Sequence, residues 1–178
     1  MTRFSPVPQY VFGNITDITP DFLELHEIRF LMLDMDNTIA AYGTHAPSAE
    51  VLQWAERMRS CGIELFIVTN SKRTERVVNF AKALGTGFVR NASKPSPSGI
   101  LRALDQSEHF AGESAFAGDQ VYTDVIAANR AGVLSIAVRP LSRENPLLAI
   151  RYALEAPFRA ICKYNMARST GFRSTSAV

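Results

Sequence analysis

From Ile28 to Val138, short apolar runs alternate with amphipathic helical patterns, and this alternation restricts the fold more than any other feature of the chain. The runs are "IRFLMLD" (28–34), "IELFIVTN" (63–70), "TGFV" (86–89), "SAFAGD" (114–119) and "LSIAV" (134–138). Between them lie "SAEVLQWAERMRS" (48–60), "KRTERVVNFAKAL" (72–84), "SPSGILRAL" (96–104) and "TDVIAANRAG" (123–132). Apolar residues in these stretches recur at three- and four-residue steps, as at Val51, Leu52, Ala55 and Met58. Ser48 and Thr123 are the N-caps this pattern suggests, while Gly62, Gly85 and Gly132 stand where C-terminal glycines belong. Strands and helices alternating at these lengths predict an α/β fold, a parallel sheet covered by helices on both faces. Trp54 and Phe80 fall on helical apolar stripes and are expected in the core.

In such a sheet, ligands bind in the crevice beyond the carboxyl ends of the strands. The residues that follow each apolar run therefore matter most. The first run ends at Asp34 and Asp36, the second at Thr69 and Asn70, and the fourth at Asp119, with Asp124 shortly after. Lys94 stands in the loop before the third long helix. Neighbouring carboxylates raise the cost of ionising one another unless a cation intervenes, so Asp34 and Asp36 imply a positive partner. Residues two apart in an extended chain point the same way, so the pair can share one side. Asp34, at the end of a buried strand, suits a carboxylate nucleophile that accepts a phosphoryl group. Asp36, further out, suits an acid that protonates the leaving oxygen and then deprotonates the attacking water. Oxygen ligands from Asp34 and Asp119 suit Mg²⁺. The Thr69 hydroxyl and the Asn70 backbone N–H suit phosphoryl oxygens, and Lys94 supplies the point charge that phosphate recognition uses.

These residues fall in strings that resemble a known family. "DMDNT" (34–38), "VTN" (68–70), "KP" (94–95) and "GDQVYTD" (118–124) are similar, in order, to the motifs of the haloacid dehalogenase (HAD) superfamily phosphatases. "GDQVYTDVIAANRAG" and "VPQYVFGNITDI" further resemble the YqeG-type group of subfamily IIIA, which is itself similar to phosphatases that act on phosphatidylglycerophosphate. The resemblance implies a Rossmann-like domain with Mg²⁺ as cofactor, Asp34 as nucleophile and Asp36 as acid/base, its main-chain carbonyl also on the metal. It further implies Thr69 and Lys94 on the phosphate, Asp119 on the metal, and Asp124 in or near the outer ligand sphere.

Other readings of the same residues are weaker. A calcium loop beginning at Asp34 would need glycine at its sixth position and glutamate at its twelfth, where Ile39 and His45 stand. A receiver domain shares the parallel sheet, the phospho-accepting aspartate, the hydroxyl and the lysine, but has no need of an acid at Asp36. His26, His45 and His109 form no metal pattern and read as surface or loop residues. HAD enzymes often carry a cap domain, yet 30 residues separate Thr38 from Thr69 and 23 separate Asn70 from Lys94, room for one helix each with its connections. An uncapped site suits a bulky or surface-presented phosphate, and the resemblance to phosphatidylglycerophosphate phosphatases implies a lipid phosphate ahead of a soluble sugar phosphate or nucleotide.

Composition sets the outer bounds. At 178 residues, 47% apolar and 20% charged, the chain is of a size and composition for one self-sufficient domain. A net charge of +2 gives no reason to expect nucleic acid. Cys61 and Cys162 match no metal spacing and suit a reducing compartment. With no signal-like or membrane-spanning run, a cytoplasmic location is expected. The expected organisation is an N-terminal extension (1–27) packing on the core, a phosphatase core (28–145) and a C-terminal amphipathic basic helix and tail (146–178). From Arg151 onward the bases Arg151, Arg159, Lys163, Arg168 and Arg173 face Glu155 alone, a net of +4 against −2 for the rest. Ile150, Leu154, Phe158, Ile161 and Cys162 recur there at helical spacing, with Pro157 expected to bend or restart the helix. Such a helix either packs on the sheet domain or lies at an anionic membrane surface.

Overall fold

The structure is a computed structural model that describes residues 4–142 and 146–173, with side chains as far as residue 167. Six strands form one parallel sheet in the order β1-β6-β5-β2-β3-β4. They are β1 (Tyr10–Val11), β2 (Phe30–Leu33), β3 (Glu64–Val68), β4 (Gly87–Val89), β5 (Ser114–Gly118) and β6 (Leu134–Ala137). The helices are α1 (Pro20–Leu25), α2 (Ala49–Ser60), α3 (Thr74–Leu84), α4 (Ser98–Gln106), α5 (Ile126–Ala131) and α6 (Pro146–Arg173). This is the α/β, Rossmann-like architecture that the alternation predicts. The segments from Thr38 to Thr69 and from Asn70 to Lys94 hold α2 with β3 and α3 with β4, and no cap domain.

Side-chain alternation along β2 sorts the core into two layers. Leu31 and Leu33 face Trp54 and Met58 of α2 and Val77, Phe80 and Leu84 of α3. Phe30 and Met32 face the other way, toward Ile100 and Ala103 of α4 and Ala127 and Ala128 of α5. The strand is buried at all four positions, as a central parallel strand must be. Leu33 is in register with Ile67 of β3 and Ala117 of β5. Asp34, Thr69 and Asp119 consequently leave the sheet within one residue of the same level, with the Asp34 strand in the middle.

Local chemistry sets the element ends. The Ser48 hydroxyl accepts from Val51 N at 3.3 Å at the start of α2, and Gly85 ends α3 in the left-handed region at φ 61°. Ahead of β2, Asn14 and Thr19 cap a single helical turn and α1, and Trp54 Nε1 donates to Ile18 O at 2.8 Å, tying this segment to α2. Thr123 is not an N-cap. It lies inside a π-helical turn (Val121–Val125) that runs straight into α5, where its hydroxyl reaches the Gln120 side chain. The wide turn lets Asp124 fold back over Gly118.

Helix α6 does not restart at Pro157 but continues through it. Glu155, Arg159 and Cys162, on either side of the proline, are buried and hold both halves to the domain. The apolar residues Leu147, Ile150 and Leu154 instead stand 75%, 58% and 62% exposed. The side chains of Arg168 and Arg173, counted in the basic tail, lie outside the described residues, as do residues 1–3, 143–145 and 174–178. No helix among the described residues is long and apolar enough to cross a membrane.

Candidate active site

The carboxyl ends of β2, β3 and β5 deliver Asp34, Thr69 and Asp119 to one rim, and the loop after β4 brings in Lys94. Lys94 is buried, with Nζ 2.5 Å from Asp34 Oδ1 and 2.7 Å from Asp124 Oδ1. The same ammonium donates to Val68 O at 3.2 Å and stands 5.0 Å from the centre of the Phe116 ring. Asp34 Oδ2 accepts from the Thr38 hydroxyl at 3.3 Å, which lies 3.5 Å from Asp119 Oδ1. Asp34, Asp119 and Asp124 are all buried and each offers an oxygen within 4.8 Å of the others.

Three buried carboxylates around one ammonium leave an excess of negative charge. Burial first, then Asp124, pushes the Asp34 carboxyl up to about 7 against the pull of Lys94. Burial, Asp124 and Asp34 together push Asp119 up to about 8. Burial would lower Lys94, but Asp124 and Asp34 hold it above the ordinary lysine range. A divalent cation among the three oxygens would remove this imbalance, and a donor set made only of oxygen suits a hard ion. The residues present therefore fit a metal of the Mg²⁺ class.

Asp36 lies elsewhere than the two-residue spacing suggests. Strand β2 stops at Leu33, and the chain turns at Asn37, which has φ 67°. The Asp36 carboxylate leaves the acidic cluster and pairs with the buried guanidinium of Arg76 on α3. Arg76 also donates to Thr44 O at 2.6 Å and Ala41 O at 3.2 Å, so it holds the loop after Asp36 as well as its side chain. Asn37 fastens the other side of this turn, donating to Ser142 O and accepting from Ser142 N, both at 2.8 Å.

Thr69 is buried, its hydroxyl accepting from Ser71 N at 3.0 Å. The Asn70 side chain grips the Lys94 backbone twice: Nδ2 donates to Lys94 O at 3.1 Å and Oδ1 accepts from Lys94 N at 3.0 Å. Asp124 packs so closely on Gly118 that a Cβ there would fall 2.4 Å from its Oδ2. It also accepts from Gln120 N at 3.0 Å, and so belongs to the acidic cluster itself. Sequence reasoning missed Thr38, Arg76 and Arg159. Arg76 carried a signal, being a charge on the buried stripe of α3 with Val77, Phe80 and Leu84.

Residues 14–132 match the family of haloacid dehalogenase-like hydrolases. The chain belongs to that family. It is 32% identical over 136 residues to the Bacillus subtilis protein named "Probable phosphatase YqeG", covering 76% of this chain and 78% of that one. Among solved structures, the 3-deoxy-D-manno-octulosonate 8-phosphate phosphatase of Yersinia pestis superposes with a TM-score of 0.52 at 20% identity, covering 74% of each chain. The cobalt-bound deoxy-D-mannose-octulosonate 8-phosphate phosphatase of Haemophilus influenzae gives 0.53 at 16% identity, over 72% of this chain and 77% of that one. At these identities the structural likeness is one of fold. The HAD-like hydrolase family and the arrangement at the sheet edge together make the chain an enzyme.

Proposed function

We propose that this hydrolase removes phosphate from a monoester through an aspartyl-phosphate on Asp34, with Mg²⁺ as cofactor. The observation that carries the proposal is Asp34 at the tip of the central strand, with one oxygen held by Lys94 and the other beside Thr38 and Asp119. Asp34 attacks phosphorus, and the bond to the leaving oxygen breaks as Asp36 turns from Arg76 and gives that oxygen a proton. Asp36 then takes a proton from water, which attacks the phosphoryl group and frees Asp34. Lys94 and Thr69 receive the phosphoryl oxygens, and the Asn70 side chain fixes Lys94 for this task. When bound by Asp34, Asp119 and the Asp36 carbonyl, with Asp124 beside them, Mg²⁺ would offset the charge of the carboxylates and of the incoming phosphate.

A lipid phosphate monoester, such as phosphatidylglycerophosphate, is the substrate class we favour. Two features support it. The site has no cap, and α6 runs beside its rim, where Leu148, Arg151 and Tyr152 share a recess with Asn37 and Asp119. The outward apolar residues of α6, Leu147, Ile150, Leu154 and Ile161, would lie in the headgroup boundary of an anionic membrane, aided by the neighbouring bases. The deciding experiment is phosphate release from a generic aryl phosphate, a dispersed lipid phosphate and octulosonate 8-phosphate, with and without chelator. Metal-dependent turnover fastest on the lipid is expected. Full activity in chelator would overturn the metal assignment, and preference for the sugar phosphate would overturn the lipid assignment.

A further inference from the structure

A pocket of about 260 Å³ lies between α6 and the carboxyl ends of β1 and β6, outside the acidic site. It is lined by Phe12, Arg139, Tyr152, Arg159 and Lys163, among others, and by no aspartate or glutamate. Arg139 and Lys163 are exposed and have no carboxylate partner among the described residues. Arg159 is 5% exposed and stacks its guanidinium 4.8 Å from the centre of the Tyr152 ring. Its Nη1 donates to Val138 O at 3.0 Å, and Nη2 reaches Glu155 at 3.3 Å and the carbonyl of Asp119. Its Nε is buried and has no hydrogen-bond partner among the described residues. Glu155 offsets one of the three cations and the Asp17 carboxylate stands against Gly13 of the lining, so the pocket keeps a net positive charge. The chain therefore leaves the cationic wall formed by Arg159 incompletely satisfied.

We infer that this pocket is a second anion site, built for a phosphate-type oxyanion and separate from the place where phosphate is hydrolysed. Its volume lies under the roughly 300–1,000 Å³ of pockets that enclose drug-sized molecules, which fits a small charged group. Two freely placed cations and one stacked, preoriented guanidinium are the usual means of holding such a group. Arg159 links the pocket to the backbone of Asp119, a member of the acidic cluster. The oxyanion comes either from a phospholipid headgroup or from free phosphate.

Full-length protein kept in chelator, so that the acidic site lacks its cation, tests this directly. Inorganic phosphate titrated by calorimetry should bind, with an affinity that falls at least tenfold in the R139S/K163S double variant. Turnover of a soluble aryl phosphate with Mg²⁺ should be unchanged in that variant, because neither residue touches the acidic site. Equal phosphate affinity in the two proteins, or no binding to either, overturns the inference. Liposomes of phosphatidylglycerol and phosphatidylcholine separate the sources. Weaker sedimentation of the variant than of wild type assigns the site to a headgroup, and equal sedimentation together with the calorimetric loss assigns it to free phosphate. Both exposed positions tolerate serine, and a circular-dichroism melt of the variant confirms its fold. Should that melt fail, the single R139S variant carries the same comparison. The readout is metal-free binding, so it stands whether or not the proposed hydrolysis is correct.

Discussion

Replacing Lys94 by methionine keeps the length of the side chain and removes its charge from the middle of three buried carboxylates. Lys94 contacts Asp34 at 2.5 Å and Asp124 at 2.7 Å, and Asp119 shares the same cluster. Removing one partner from a buried ion pair costs about 3–5 kcal/mol, because the other charge stays buried alone. For a domain of this size each kcal/mol shifts Tm by roughly 2–4 °C, so the variant should melt on the order of 10 °C lower at alkaline pH in chelator. The deficit should depend on pH. Asp34 and Asp119 sit above the ordinary 3.8, at about 7 and about 8, so the native state binds their protons more tightly than the unfolded chain does. Stability from these groups is full below pH 3.8 and is lost as pH rises through 7 and 8. Wild type should therefore lose stability over that window, and the variant should lose more. At lower pH the gap should narrow, because protonated carboxyls no longer need the lysine. Magnesium at a hundred times its Kd should return about 2.7 kcal/mol to wild type. Thermal melts from pH 5 to 9, with chelator or Mg²⁺, measure all of this. A deficit that ignores both pH and metal would refute the electrostatic reasoning.

Two other substitutions probe the support of the site. Arg76→Met should lower stability by about 2 kcal/mol, since Asp36 is only partly buried and two carbonyl contacts are lost as well; urea unfolding measures this, and an unchanged midpoint would mean the clamp carries no weight. Gly118→Ala should displace Asp124 from the cluster, weakening Mg²⁺ binding at least tenfold in calorimetry and lowering the melting temperature, because the clash reaches the Asp124 Cβ at 2.6 Å and the turn must shift.

The sequence displays what is local and periodic. The buried run Phe30–Leu33 and the stripe of α3 appear as patterns of two and of three to four. It conceals contacts between distant residues. Arg76 meets Asp36 across 40 positions, and Arg159 reaches Asp119 across 40, with no repeat to announce either. Strand β1 is two residues long, too short for any periodicity, and it exists because β6 offers it an edge. The role of Thr123 was misread because an Asp124 tucked over Gly118 demands a π-helical turn, which no cap rule foresees. The exposed apolar residues of α6 follow from the buried Glu155–Arg159 pair, whose burial the composition of that helix does not advertise.

The account rests on Asp34 becoming phosphorylated during turnover. Wild-type protein mixed with aryl phosphate and Mg²⁺ and quenched in acid at early times should yield one phosphorylated peptide on mass spectrometry, the one bearing Asp34. Asp34→Asn protein, folded by its melt, should yield none and release no phosphate. Phosphate release that persists in Asp34→Asn, or a phosphoryl group found on any other residue, would contradict the mechanism.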